Sequence, residues 1–430
     1  MSGRGKRGSK HSGAHKTVKE REALYRMIVS QLKYDGFELA AQAVAKHIAT
    51  YPPTAPSSRL SHLVDLGLHK ENDGKDDTTT TSDPYSTQGM MDLEYESDEA
   101  VNSPSVVQYE SLFITSHKAP VLAGAFSWDG QLAATGSADT TIKIYDADKM
   151  PTKKSGNYSS LDNNPIMRTL YDHIDQVRAL EFHPKVSVLV SASSDCTIKF
   201  FDYSKINIKR AYHVIQEVAV CRCLAFHPSG DYMLVGTDHQ TLRLYDVNTV
   251  QCFVSANARD QHTREITSVH YTPDARMYCS SGDDGAIKIW DGISNRCTAT
   301  YSNAHDGAPV CSVRFSKNSK YILSSGRDGQ AILWEVSTGR PLIRYRPMSG
   351  EPRPHEFPTS AIFSHSEDFV VMGEEKNNNV HCWETRTGEL HRPFKSNHYG
   401  VIRHLVHSPT QPVLMTCGED SRVKFWGFVS

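Results

Sequence analysis

The sequence has 430 residues, a formal net charge of −2 and 38% hydrophobic side chains. That length allows one large domain plus a small one, with apolar residues enough for a sizeable core. Near-neutral charge argues against a protein that grips nucleic acid over its whole surface. No apolar run approaches the roughly 18 residues of a spanning helix, and the N-terminus lacks the apolar stretch of a secretory signal. Nine cysteines, with no CxxC and one CxC at Cys221 and Cys223, read as reduced thiols of a nuclear or cytosolic protein. No membrane partner is expected.

Residues 1–16 carry Arg4, Lys6, Arg7, Lys10 and Lys16 without an acid. They read as a basic disordered tail that serves nuclear import or is an inert end; non-specific contact with RNA phosphates is the less favoured reading. Residues 17–70 form a helical module. Leu24, Ile28 and Leu32 recur at i, i+4, and Phe37, Ala40, Ala41, Val44 and Ile48 continue the stripe after Asp35-Gly36. A third short helix is expected over 58–68. So small a unit buries little area by itself, so its apolar stripe is expected to pair with a second copy. The expected dimer interface is Leu24, Ile28, Leu32, Phe37, Ala41, Val44 and Ile48; packing on the chain's own large domain is the alternative. Residues 71–105 hold ten acids against Lys75 and few large apolar groups, the composition of a flexible linker.

From about residue 117 the chain repeats itself. The unit is Asp, a short gap, then apolar–basic–apolar–aromatic: Asp139…Tyr145, Asp195…Phe201, Asp284…Trp290, Asp328…Trp334 and Asp420…Trp426, with weaker copies ending at Tyr245 and Trp383. The aromatic positions 145, 201, 245, 290, 334, 383 and 426 are spaced by 56, 44, 45, 44, 49 and 43. That is the WD-repeat period of about 40–45 residues, stretched once by a polar insertion at 147–164. Seven units predict a mainly β fold, a seven-bladed WD40 β-propeller over 106–430. The chain stops after the third strand of the last unit. The segment 107–116, apolar at 109–115, is therefore expected to supply the missing strand and remove the open edge.

A histidine precedes each strong Asp: His117, His173, His262 and His398 by 22 residues and His305 by 23. Thr135, Ser191, Ser280, Ser324 and Thr416 lie four before the Asp. Five catalytic triads at blade spacing make no chemical sense. The sets His117/Asp139, His173/Asp195, His262/Asp284/Trp290, His305/Asp328/Trp334 and His398/Asp420/Trp426 read as buried hydrogen-bond networks, because buried polar groups need partners. The third strands alternate apolar and basic, so one face is expected to be buried and Lys143, Lys199, Lys288 and Lys424 to be solvated. Arg178, Arg222 and Arg403 share one register at the start of the first strand; Leu122, Thr267 and Cys311 occupy it elsewhere. Repeat symmetry puts them at one mouth of the channel. They either take a carboxylate- or phosphate-bearing partner or pair with local acids such as Asp175 or Glu217.

No nucleotide-binding, metalloprotease or nucleophile-elbow motif occurs. No enzyme, metal or cofactor is expected, and a propeller of this kind holds other molecules together. Longer segments are more specific than the repeats: Ser30-Gln-Leu-Lys-Tyr-Asp-Gly-Phe37, Arg168-Thr-Leu-Tyr-Asp-His173, Phe226-His-Pro-Ser-Gly-Asp231, Trp290-Asp-Gly-Ile-Ser-Asn-Arg-Cys297 and Phe315-Ser-Lys-Asn-Ser-Lys-Tyr-Ile-Leu-Ser-Ser-Gly326. Together they resemble the fifty-kilodalton WD-repeat subunit family of the cleavage stimulation factor, over roughly 17–429. Blade six is the least regular part of the match, with Asn377 in place of the turn Asp. The resemblance implies a nuclear, non-catalytic scaffold in cleavage and polyadenylation of pre-mRNA 3′ ends, and helices that homodimerise. It implies a propeller that engages a helical-repeat scaffold subunit, other 3′-processing proteins and RNA polymerase II, with pre-mRNA reached mostly through another subunit. Trp383-Glu-Thr-Arg386 supports one alternative, a substrate receptor of a cullin ubiquitin ligase.

Overall fold

A computed structural model describes residues 29, 32, 108–150, 165–205, 208–347, 355–391 and 393–429. The chain divides into units 1–86 and 87–430. In the first, Val29 and Leu32 are helical, Val29 buried and Leu32 half-buried. The other residues expected at a dimer interface, Leu24, Ile28, Phe37, Ala41, Val44 and Ile48, lie outside the described residues. So do the tail at 1–16, the proposed helix at 58–68 and the segment 71–105.

The second unit is seven four-stranded antiparallel sheets, one per repeat. The fourth shows the pattern: Ile266–Tyr271, Met277–Gly282, Ile287–Asp291 and Cys297–Tyr301, from the innermost strand outward. Six sheets use consecutive strands. The seventh takes Ile402–His407, Val413–Gly418 and Arg422–Val429, and its outermost strand is Gln108–Ser116 from the other end of the domain. That strand pairs antiparallel with Arg422–Val429, from Ser116↔Arg422 to Gln108↔Val429, with one irregularity between Ser111 and Phe113. Tyr109 and Phe113 secure it, their rings 5.4 Å from Phe394 and 6.2 Å from Phe425.

The core is seven clusters, and each lies on a boundary between consecutive blades. The two-residue period of a strand explains this. In Thr141–Asp146, Ile142 and Ile144 face blade two, while Tyr145 faces blade seven. Both faces of each sheet are thus covered by its neighbours.

This corrects the expectation that one face of each third strand is solvated. Lys143 Nζ donates to Ser116 O at 2.5 Å, and Lys199 Nζ to Asp172 O at 2.6 Å. Lys424, 2% exposed, donates to Ser396 O at 2.8 Å and Asn397 O at 2.7 Å. Lys288 is also buried, 3.5 Å from Thr300 Oγ1. The long apolar stem crosses the interface between blades, and in three cases the ammonium satisfies carbonyls ending the outer strand of the preceding blade. Lys424→Met keeps the stem and removes the donor. It should cost about 2 kcal/mol in urea unfolding, the penalty for stranded buried carbonyls.

Candidate functional site: the channel mouth and its rim

The recurring polar sets build the face at which the innermost strands begin. In blade four Trp290 Nε1 donates to Ser280 Oγ at 2.9 Å, Ser280 Oγ is 2.7 Å from His262 Nε2, and His262 Nδ1 is 3.0 Å from Asp284 Oδ2. Blade five repeats this through Trp334, Ser324, His305 and Asp328, and blade seven through Trp426, Thr416, His398 and Asp420. Blade one closes it with Tyr145, Thr135, His117 and Asp139; in blade two Phe201 supplies only a ring edge beside His173, Ser191 and Asp195. Where the aromatic is Trp, one direction is fixed. An indole N–H can only donate. The hydroxyl accepts it and lies within hydrogen-bond distance of Nε2, while Nδ1 faces the carboxylate.

Each Asp does two further jobs. Its carboxylate accepts the backbone N–H two residues on: Thr141 at 2.9 Å, Thr197 at 2.9 Å, Ala286 at 3.1 Å, Gln330 at 3.1 Å and Arg422 at 3.1 Å. This holds a tight turn whose next residue has positive φ, from Cys196 at 60° to Gly329 at 75°. In four blades it also accepts the N–H of the residue after the histidine, namely Lys118, Ile174, Thr263 and Tyr399. The network therefore fixes the rim of this face as well as the blade.

Two blades depart from the pattern. In blade three the pair is reversed in sequence, with Glu217 at the histidine position and His239 at the Asp position. Buried Glu217 binds Tyr245 OH at 2.6 Å and the Arg243 guanidinium. In blade six Glu374 takes His381 Nε2 at 3.0 Å and Asn377 Nδ2 at 3.2 Å.

Arg178, Arg222 and Arg403 do meet at one mouth of the channel. Each sits at a register shift in its innermost strand, as do Leu122, Thr267 and Cys311 in theirs. All six line a cavity of about 260 Å³. Neither acid offered as a partner forms the pair. Arg222 joins Asp238 and Glu265, the latter at 2.6 Å. Arg403 Nε is 3.5 Å from Glu419, and its guanidinium lies 4.6 Å over Phe357. The partner comes from the end of the adjoining strand, 16 residues on, where Asp238, Asp283, Arg327 and Glu419 occupy one register. At Arg178 that register holds Ser194, which accepts from Nε at 2.6 Å. Burial acts to lower Arg222, but the hydrogen bond and charge of Asp238 prevail and raise it. Arg178 is lowered, by burial first and then by Arg222.

Deeper in the channel, burial pushes Glu181 up to about 7 against the pull of Arg314, and holds His270 and His404 down at about 3, with Arg314 adding to it. Among the described residues no group of three or more His, Cys, Asp or Glu is placed to hold a metal ion. All nine cysteines are free. Of Trp383-Glu-Thr-Arg386, the first three residues are buried and only Arg386 is exposed.

Comparison with known proteins adds the family. The dimerisation domain of cleavage stimulation factor subunit 1 matches residues 16–72. The WD domain, G-beta repeat, matches 109–146 and 164–202, and a nucleolar protein 10-like N-terminal domain matches 212–429. Cleavage stimulation factor subunit 50 of Arabidopsis thaliana is 36% identical over 412 residues, 93% of this chain and 94% of that protein. The chain belongs to the cleavage stimulation factor subunit 50 family. A pre-mRNA-processing factor 19 homologue from the same plant is 29% identical over 180 residues, 41% of this chain and 31% of that protein, a likeness confined to part of each. This member of the family is a non-catalytic WD-repeat protein with an N-terminal dimerisation domain.

Two tests follow from the polar sets. Ser324→Ala strands both Trp334 Nε1 and His305 Nε2, so it should cost about 2 kcal/mol in urea; Trp334→Phe added to it should cost less than the sum of the singles. Burial holds His117 down at about 4 and lowers His173. Folding at these sites releases protons, so their stabilisation is complete above pH 6.5 and is lost as pH falls toward 4. Asp284, which burial pushes up but the His262 hydrogen bond and charge together with the Thr263 and Ala286 N–H bonds bring down to about 2, adds a second loss below about pH 4. The urea midpoint should be flat from pH 8 to 7 and drop between 6.5 and 4.

Proposed function

We propose that this chain is a scaffold subunit of the nuclear machinery that cleaves and polyadenylates pre-mRNA 3′ ends. It dimerises through residues 17–70 and binds other processing subunits through its propeller. The observation that carries this is the relative named cleavage stimulation factor subunit 50, alike along nearly the whole of both chains. The match to a dimerisation domain at 16–72 supports the self-association. Pairing of the helical stripe Leu24, Ile28, Leu32, Phe37, Ala41, Val44 and Ile48 with a second copy is its physical form. The propeller suits a binding role: its polar sets are engaged in architecture and its rim is fixed. In this reading the basic tail at 1–16 serves nuclear import or is an inert end, the acidic segment at 71–105 is a linker, and no cofactor is required. Contact with pre-mRNA is mostly indirect. The helical-repeat scaffold subunit is the expected main partner of the propeller, with other 3′-processing proteins and RNA polymerase II beyond it.

The test is affinity purification of the tagged full chain from nuclei, beside a chain lacking 17–70. The full chain should run at twice the monomer mass in light scattering and recover cleavage stimulation factor subunits. The shortened chain should run as a monomer and still recover the scaffold subunit. Recovery of a cullin and its adaptor in their place would contradict the proposal.

A further inference from the structure

The face around the channel mouth is divided. In four contiguous blades, seven, one, two and three, the residue after the histidine position is Tyr399, Lys118, Ile174 and Val218 in turn. Ile174 is 85% exposed, Val218 89% and Tyr399 81%. Bare apolar side chains of that size need an explanation when they cluster on one face. The next two blades place Thr263 and exposed Asp306 at the same position. A second cavity there, of about 550 Å³, is lined by Asp238, Glu265 and Asp283 among others. One side of the mouth is therefore largely apolar, with Lys118 among its four positions, and the other is rich in carboxylates, with Arg264 among them.

The arginines lie inside the apolar side, and they are not equivalent. Arg222 is matched by two carboxylates. Among the described residues Arg403 has Glu419 as its one ion-pair partner, at 3.5 Å, and its Nη1 is buried without a hydrogen-bond acceptor. Among the described residues Arg178 has no ion-pair partner at all. Its bonds go to Ser194 and, at 3.5 Å, to Gln176, and it stands between the like charges of Arg222 and Arg403. A guanidinium presents a planar fork of donors that fits a carboxylate. The Asp turns hold Ile174 and Tyr399 in place beforehand, so little ordering is needed on binding.

We propose that this half of the face is a docking site for an extended segment of a partner protein that places one acidic side chain on Arg178 and Arg403 and apolar side chains on Ile174, Val218 and Tyr399. The proposal rests on the reading of the propeller as a binding scaffold and names the chemistry of one of its partners. RNA fits the site less well. Asp238, Asp283 and Glu419 alternate with the arginines around the same mouth, so a continuous phosphate backbone meets like charge that a single carboxylate avoids, and of the residues that follow the histidine positions only Tyr399 is aromatic.

The experiment uses the purified full chain and a positional-scanning library of decapeptides, with oligouridylate as the RNA probe. The expected result is selection of a single Asp or Glu flanked by Leu, Ile or Phe. Arg178→Ala should weaken the selected peptide about tenfold or more, the loss typical of one charge-assisted contact, and Arg178→Glu should turn the preference to Lys or Arg. Ile174→Ser with Val218→Ser should remove the apolar preference and leave the acidic one. Unchanged thermal unfolding of these variants shows that the effects are local. The proposal is overturned by no acidic preference, by a preference that survives Arg178→Glu, or by oligouridylate binding that Arg178→Ala abolishes. The same preparations are assayed for capture of cleavage stimulation factor subunits. Capture without acidic selection overturns the docking site and leaves the scaffold role standing; selection without capture upholds the site and contradicts the role.

Discussion

The pairing of Gln108–Ser116 with Arg422–Val429 is the constraint on which the rest of this propeller depends. A four-stranded blade with apolar side chains on both faces cannot stand in water. Each of the seven clusters needs two blades, and the cluster between blades seven and one exists only if the ring closes. Closing it takes a strand from the far end of the domain, which completes the seventh blade as its outermost strand.

Within the ring, one type of carboxylate links architecture to surface. Asp139, Asp195, Asp284, Asp328 and Asp420 each bind a histidine and hold a turn, and four of the five also fix the first residue of the rim. The same carboxylates that hold the imidazoles in place make the rim rigid. A family member that binds rather than catalyses uses its polar core in this way. Stability and presentation are two outcomes of one network, which is why the rim varies in chemistry from blade to blade while its backbone does not.

The period of the aromatics, the recurring histidines and the closing segment were legible in the sequence because they obey distances along one chain. The register of the three arginines was legible for the same reason. Their partners were not. Asp238 and Glu419 reach Arg222 and Arg403 from the end of the adjoining strand, across a local irregularity that a nearest-acid rule misses. Asp175 was the nearer choice for Arg178, and Glu217 proved to be committed to Tyr245 and Arg243 in a blade whose polar pair is reversed. Lys143, Lys199 and Lys424 failed as solvated residues because their carbonyl partners sit in the preceding blade, and alternation within one strand says nothing of the sheet beside it. The ordered identity of the family came from long matched segments, not from any of these physical patterns.

The measurement closest to the central claim is hydrogen exchange of the full chain against the same chain lacking 108–116. The account predicts that protection collapses first in Arg422–Val429 and then across blades seven and one, with loss of a single cooperative urea transition. Unchanged protection in Arg422–Val429 together with an unchanged transition would contradict it.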